Sequence, residues 1–578
     1  MARVLAVVLG YVLISSMDSA AQIQVFTTQP PVTAPGMPVP QGAPGTPARD
    51  NRQTPGSAVI RGRVFGADTG QPLRKAVVRA NSPDLREGRV ATTDEQGRYE
   101  MKELPGGRYT LTASKGSYVG LSYGQTRPFE PGKPLEILDA QTVEKVDFSL
   151  PRGAIITGRV LDEFGEPVAD AQVAPMRSVN QGGRRRMMPS GRMSMTNDIG
   201  EFRIFGLPPG QYLISATLRS GMMMGAQSDD RSGYAPTYFP GTSNAAEAQR
   251  VSVTVGQTLT DINIALLPTR TSRVSGTAVD SQGRPLSNGM VMVMQREGTM
   301  GFMMNAGGMI RPDGTFTVNG LAPGDYMLQA TVPGTFGDVP EFATAPITVT
   351  GDDITGLRLA AVKASTLTGR IVFNDPTAAA SLRPPMFRPA ATPKNPEDMG
   401  PMIGGGGPGR VNDDFTFEIK ARPGTMVIRM MSNTPGWALK TVRVNGIDVT
   451  DDGVEIRPNE EINGIEIEMT NHQSDVSGLV TNARGDAVKD YSLIVFAQDR
   501  ERWAPGSRYV RTGRPDQGGR FKITGLPAGQ YYVIAVDYVE PGDATDPEFL
   551  ERVRTKSMRF SLTDGEMKTM DLKLTASS

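Results

Sequence analysis

The chain has 578 residues, 61 Lys+Arg against 61 Asp+Glu, no cysteine and one histidine, His472. Zero net charge argues against an overall electrostatic grip on nucleic acid or anionic membrane. The missing cysteines and lone histidine exclude thiol catalysis, Cys-containing zinc sites, iron–sulfur clusters, multi-His metal sites and disulfides.

Residues 1–21 read as a signal peptide. Arg3 supplies a positive charge, Val4 to Ile14 is an apolar run, and Ser19-Ala20-Ala21 places small residues before Gln22. The run is short for a membrane span, and no later stretch approaches about 18 continuous apolar residues. An uncleaved anchor helix is the alternative. The expectation is an exported protein, periplasmic or secreted, with no membrane span after cleavage. Residues 22–57 hold eight prolines and no periodic apolar pattern. They read as a Pro-rich, disordered linker: a stalk, or a tail that is processed.

One pattern fills the rest. Gly97-Arg-Tyr99-Glu-Met101 is followed by Leu104-Pro-Gly-Gly-Arg-Tyr109, and Gly200-Glu-Phe202 leads to Tyr212 in the same way. Gly314-Thr-Phe316 leads to Tyr326, and Gly519-Arg-Phe521 to Tyr531. The aromatic-to-tyrosine spacing is ten residues each time. A fifth copy has Phe417 and Pro423-Gly424, with Met426 in the tyrosine slot one residue early. Period-two alternation marks half-buried strands, and the Pro-Gly link suggests a β-hairpin with Tyr109, Tyr212, Tyr326 and Tyr531 on its inward face. Each copy opens with a strand centred on a glycine: Gly62, Gly158, Gly276, Gly369 and Gly478. A Gly-x-Pro-Leu-like turn follows in four copies, and each copy closes with an alternating strand such as Val146-Phe148-Leu150. Units of roughly 90–120 residues with about seven short strands fit antiparallel β-sandwiches. Short Pro-containing joints favour a semi-rigid string.

These motifs resemble carboxypeptidase regulatory-like domains, which have a prealbumin-like sandwich and are similar to collagen-adhesin B-type repeats. The resemblance implies an all-β, Ig-like tandem string of five sandwiches, at 58–150, 151–268, 269–361, 362–471 (degenerate) and 472–578. It implies hairpins and cores, and no peptidase activity. Adhesin-type repeats often join a first-strand Lys to a last-strand Asn. The corresponding openings here carry Arg63, Arg159, Thr277, Arg370 and Leu479, so no such crosslink is expected.

No catalytic constellation can be assembled. Gly120-Leu-Ser122-Tyr-Gly124 spells a nucleophile elbow in a strand-rich context without a nearby histidine. Gly404–Gly407 lacks the Lys-Ser/Thr of a phosphate loop. Asp229-Asp230, Asp352-Asp353, Asp413-Asp414 and Asp451-Asp452 read as turn residues, with loop calcium as the alternative. Asp546-Pro547 should cap one short helix. Thirty methionines include runs at Met187-Met188, Met222–Met224 and Met290–Met309; Met290, Met292 and Met294 share a strand face, where packing explains them. Copper handling, or hydrolysis, is a distant third reading. Tyr234, Tyr238 and Phe239, with Pro236 and Pro240 between and beside them, are the candidate sugar platform, unless they pack over the sandwich end.

The expectation is therefore a non-catalytic exported module without cofactor or metal that binds an envelope protein as scaffold or adhesion element. A carbohydrate-binding accessory protein, with a polysaccharide partner, is the alternative. Nucleic acid is not an expected partner.

Overall fold

The computed structural model describes residues 56–576, apart from 84, 86, 182–183, 219–231, 288, 296–305, 332–340, 396–408, 432–435 and 505. Residues 1–21, which read as a signal peptide, lie outside the described residues, as do nearly all of 22–57, which read as a Pro-rich linker, and Met222–Met224, Asp229-Asp230 and Gly404–Gly407.

The protein is a tandem set of five all-β sandwiches built on one plan. In the first, the opening strand Ala58–Gly66 is the centre of one sheet. It pairs antiparallel with Arg98–Leu104 and parallel with Thr142–Val143 and Phe148–Leu150. The facing sheet centres on Gly107–Ser114, paired antiparallel with Val77–Asn81 and Leu135–Ile137. The opening strands of the others are Ala154–Leu161, Ser272–Val279, Ser365–Phe373 and Ser474–Thr481. Each runs antiparallel to the next motif strand and parallel to its closing strand, as at Val160↔Ile264, Ala278↔Leu359, Ile371↔Ile467 and Val480↔Leu572. The sandwiches are thus mainly antiparallel, each with a parallel join between its first and last strands.

That parallel join explains the central glycines. A Cβ on Gly62 would lie 1.9 Å from the carbonyl oxygen of Val146, in the gap between Thr142–Val143 and Phe148–Leu150. The same contact recurs at Gly158 with Ile262 (2.0 Å), Gly276 with Leu357 (1.8 Å), Gly369 with Ile465 (1.9 Å) and Gly478 with Met570 (1.9 Å). No side chain fits where two backbones approach this closely.

The repeated aromatic–tyrosine string is not a hairpin. Arg98–Leu104 pairs with the opening strand, whereas Gly107–Ser114 pairs with Val77–Asn81 in the facing sheet. The short Pro-Gly link crosses from sheet to sheet, so Tyr99 and Met101 face Tyr109 and Leu111 across one core. Alternation specifies which side chains point inward; it does not specify which strands share hydrogen bonds.

Each tyrosine anchors that crossing. The hydroxyls of Tyr109, Tyr212, Tyr326 and Tyr531 donate to the carbonyls of Pro105, Pro208, Ala322 and Pro527, at 2.6, 2.7, 2.9 and 2.7 Å. All four rings are buried. A buried phenol needs such a partner, and the i−4 carbonyl at the turn supplies it. In the fourth sandwich Met426 fills the slot as a buried apolar side chain.

The fifth sandwich has a second core on the outside of its sheet. Phe496, Trp503, Tyr532 and Ile534 pack there against Phe549, Leu550 and Val553 of the helix Pro547–Arg554. Asp546 caps this helix by accepting from the Glu548 N–H. A one-turn helix, Pro376–Ala379, is capped in the same way by Asp375.

Candidate functional site

The aromatic segment of the second sandwich begins at the end of the strand Ser232–Tyr234. Tyr234 and Phe239 are half-buried against the main core of that sandwich. Tyr238 packs instead against Ala174, Met176 and Leu213. The Tyr234 hydroxyl donates to Glu163 at 2.7 Å; this bond pushes its pKa up to about 12. Burial raises that of Tyr238. The three rings are thus divided between two packing clusters.

The other described sequence candidates lie apart from this segment. Ser122 sits on a two-residue strand and its N–H bonds Gln125. His472 is exposed between the fourth and fifth sandwiches, with its N–H on Thr470. Asp353 accepts from the Arg273 N–H and Asp414 from Thr416. Asp451 pairs with Arg508 at 3.0 Å, and Asp452 with Lys394. Among the described residues no group of three or more His, Cys, Asp or Glu could hold a metal ion. On the strand Met290–Gln295 the core face is Val291 and Val293. The methionines occupy the other face, with Met292 buried and Met290 more than a third exposed.

A buried cluster of charge lies where the first, second and fifth sandwiches meet. Its centre is residues 126–133 of the first sandwich, which carry Pro128-Phe129-Glu130-Pro131. Glu130 and Arg514 form an ion pair with each residue only 5% exposed. Arg514 also donates to Asp490 at 2.6 Å, and Asp490 meets Lys133 at 3.2 Å. The Asp490 carboxyl is held below its ordinary range because Lys133 and Arg514 outweigh the opposing cost of burial. Thr126 donates to Asp490, and Lys133 to the Lys489 carbonyl. The Arg127 guanidinium lies 4.8 Å from the Tyr538 ring centre. Phe129 packs on the second sandwich's core, with the Arg177 guanidinium 3.6 Å over its ring.

Beside this junction, a cleft of about 460 Å³ separates the second and fifth sandwiches. Arg177, Arg185 and Arg250 line one side, Glu540 and Asp543 the other. Burial raises the pKa of Asp543. Asn180 bonds Asp546 across the same seam at 2.7 Å. The expected string therefore folds its last sandwich onto its first two. The period-two patterns carried no sign of these contacts, which join residues hundreds of positions apart.

Residues 59–150 and 155–267 match the carboxypeptidase regulatory-like domain family, so the chain carries two such domains. It is similar to the TonB-dependent transporter Oar of Myxococcus xanthus, at 42% identity over 59 residues. That match spans 10% of this chain and 6% of the transporter. Among solved structures, a streptococcal ancillary pilin is 15% identical, covering 53% of this chain and 98% of the pilin at a TM-score of 0.18. The minor pilin GBS52 of Streptococcus agalactiae is 13% identical, covering 37% and 98% at 0.21. The major pilin subunit BcpA of Bacillus cereus is 11% identical, covering 53% and 99% at 0.14.

Proposed function

We propose that this chain, with its two carboxypeptidase regulatory-like domains, is a non-catalytic binding and spacing module of the cell envelope, exported to the periplasm or beyond. The observation that carries this reading is where the repeated residues are spent. The central glycines admit a neighbouring backbone, and the tyrosines close the sheet crossings. The Asp and Asn residues hold turns: Asp94, Asn197 and Asp516 each accept two backbone N–H bonds. Residues used in this way build a scaffold and leave its surfaces for recognition. The signal-like start and the local likeness to a transporter support the envelope setting.

Affinity capture from the parent organism's solubilised envelope tests the reading. One enriched envelope protein, rebinding in purified form, is the expected result. Retention of polysaccharide alone would favour the carbohydrate-binding alternative. A glycan array then compares wild type with a folded variant carrying Tyr234→Ala, Tyr238→Ala and Phe239→Ala. Turnover of a hydrolase substrate panel would overturn the non-catalytic assignment.

A further inference from the structure

The buried Arg514–Glu130 pair is an unusual way to join two domains. Removing two charges from water costs heavily, and a buried ion pair often contributes little net stability. Its best physical use is selection: Glu130 buried against a surface without a matching guanidinium would be strongly unfavourable, so wrong dockings are rejected. Selection matters here because five sandwiches share one plan and offer similar surfaces.

The residue two before the motif turn shows how the choice is made. The turn-forming residues are Asp94, Asn197, Arg311, Asn412 and Asp516, each with its N–H on the carbonyl four residues on. Two positions earlier stand Thr92, Met195, Met309, Arg410 and Arg514. The first three carry no charge, and Arg410 is exposed. Arg514 alone is buried, between Glu130 and Asp490.

We propose that residues 126–133 are a latch that selects the fifth sandwich of the same chain as its partner and holds it against the first and second. The occupant is argued from charge complementarity. Arg514 and the Lys489 carbonyl of the fifth sandwich receive Glu130 and Lys133, while Tyr538 receives Arg127. Phe129 faces the other way into the second sandwich, so one short segment grips both neighbours. Loss of one charge at Glu130 or Arg514 frees residues 126–133 from the fifth sandwich, leaving among the described residues only the outlying bonds of Gln517 to Glu136 and of Arg108 to the Lys522 carbonyl between it and the first. It leaves the joint with the fourth intact, where Arg508–Asp451 and Lys440–Asp564 stand at 3.0 and 2.9 Å. The latch thus gives the full chain a docked and a released state.

Zero-length carbodiimide coupling of the full chain, followed by peptide mass spectrometry, tests this. The reagent joins only amines and carboxylates already in contact, so Lys133–Asp490 reports the latch and Lys440–Asp564 the unaffected joint. In wild type both crosslinks are expected, in protein that stays monomeric on denaturing gels. In Glu130→Gln and Arg514→Ala the first should fall at least tenfold while the second persists, which also shows that the fifth sandwich is folded. Absence of Lys133–Asp490 in wild type beside a normal Lys440–Asp564 would overturn the proposal. So would its survival at wild-type yield in both variants, or its appearance only in crosslinked dimers.

Discussion

The hydroxyl of Tyr326 donates to the main-chain carbonyl of Ala322 at 2.9 Å, although proline holds the equivalent place in the other three corners. The bond is therefore a property of the backbone turn and the ring, indifferent to the acceptor's side chain. Tyr326→Phe should keep the packing and strand the carbonyl, costing roughly 1–3 kcal/mol. Tyr326→Ala should cost roughly 3–5 kcal/mol, as for other buried aromatics. Urea unfolding of the two variants checks the order; no loss in Tyr326→Phe would mean that the hydroxyl contributes nothing.

The opening glycines should tolerate no side chain. Gly276→Ala places a methyl 1.8 Å from the Leu357 carbonyl oxygen, so the parallel join must open. The expected loss is roughly 3 kcal/mol or more, at the upper end of overpacking effects. Gly116→Ala is the control, since nothing lies within 4 Å of its Cβ. Comparison of thermal unfolding transitions decides it.

Alkaline titration should separate folded from unfolded tyrosine. Burial pushes the phenols of Tyr212 and Tyr326 up to about 12, against about 10 in an unfolded chain. The folded state keeps protons that the unfolded state has lost. Stability from this source is whole below pH about 10 and falls as pH rises toward 12. Phenolate absorbance at these positions should appear together with unfolding; early ionisation without unfolding would contradict their burial.

Acid acts on different residues. The Arg98 backbone N–H holds Asp94 below its ordinary range, and Thr315 and Thr416 do so for Asp313 and Asp414, chiefly through their hydroxyls. A depressed carboxyl supports folding above its unfolded pKa of about 3.9, and that support is lost as pH falls through the lower folded value. Circular dichroism should show loosening only below about pH 4, and Asp94→Asn should make that loss shallower.

Intact-mass measurement should equal the sum of the residues. No opening strand offers a lysine after its glycine, and there the Arg63, Arg159 and Leu479 N–H groups bond Asp147, Asn263 and Asp571 instead. A deficit of about one ammonia or water per sandwich, as amide formation requires, would show a crosslink.

Much of the architecture was legible because it is local. The ten-residue aromatic–tyrosine spacing marks a crossing whose geometry repeats, and Asp546-Pro547 is a cap with a direct physical meaning. The crossing was misread as a hairpin because period-two alternation is the same for strands in one sheet or in two. The helix-covered outer core was signalled by Tyr531-Tyr-Val-Ile-Ala-Val536, an apolar run without alternation that fits a strand buried on both faces. The Glu130–Arg514 pair left no local sign. Its members stand 384 positions apart, and a single Glu between two prolines looks like any exposed loop residue. Tyr234, Tyr238 and Phe239 are close in sequence, and Tyr234 and Phe239 pack on one cluster while Tyr238 packs on another.

The parallel pairing of first and last strands also decides how each sandwich bears a load. Because the two strands point the same way, the chain enters at one end of the join and leaves at the other. Tension along the chain therefore pulls the strands past one another, loading the hydrogen bonds of Val160↔Ile264 or Val480↔Leu572 together. An antiparallel join would peel open one bond at a time. A glycine in the middle of such a join leaves no side chain between the two backbones, and the force needed to slide them should exceed that expected from equilibrium stability alone.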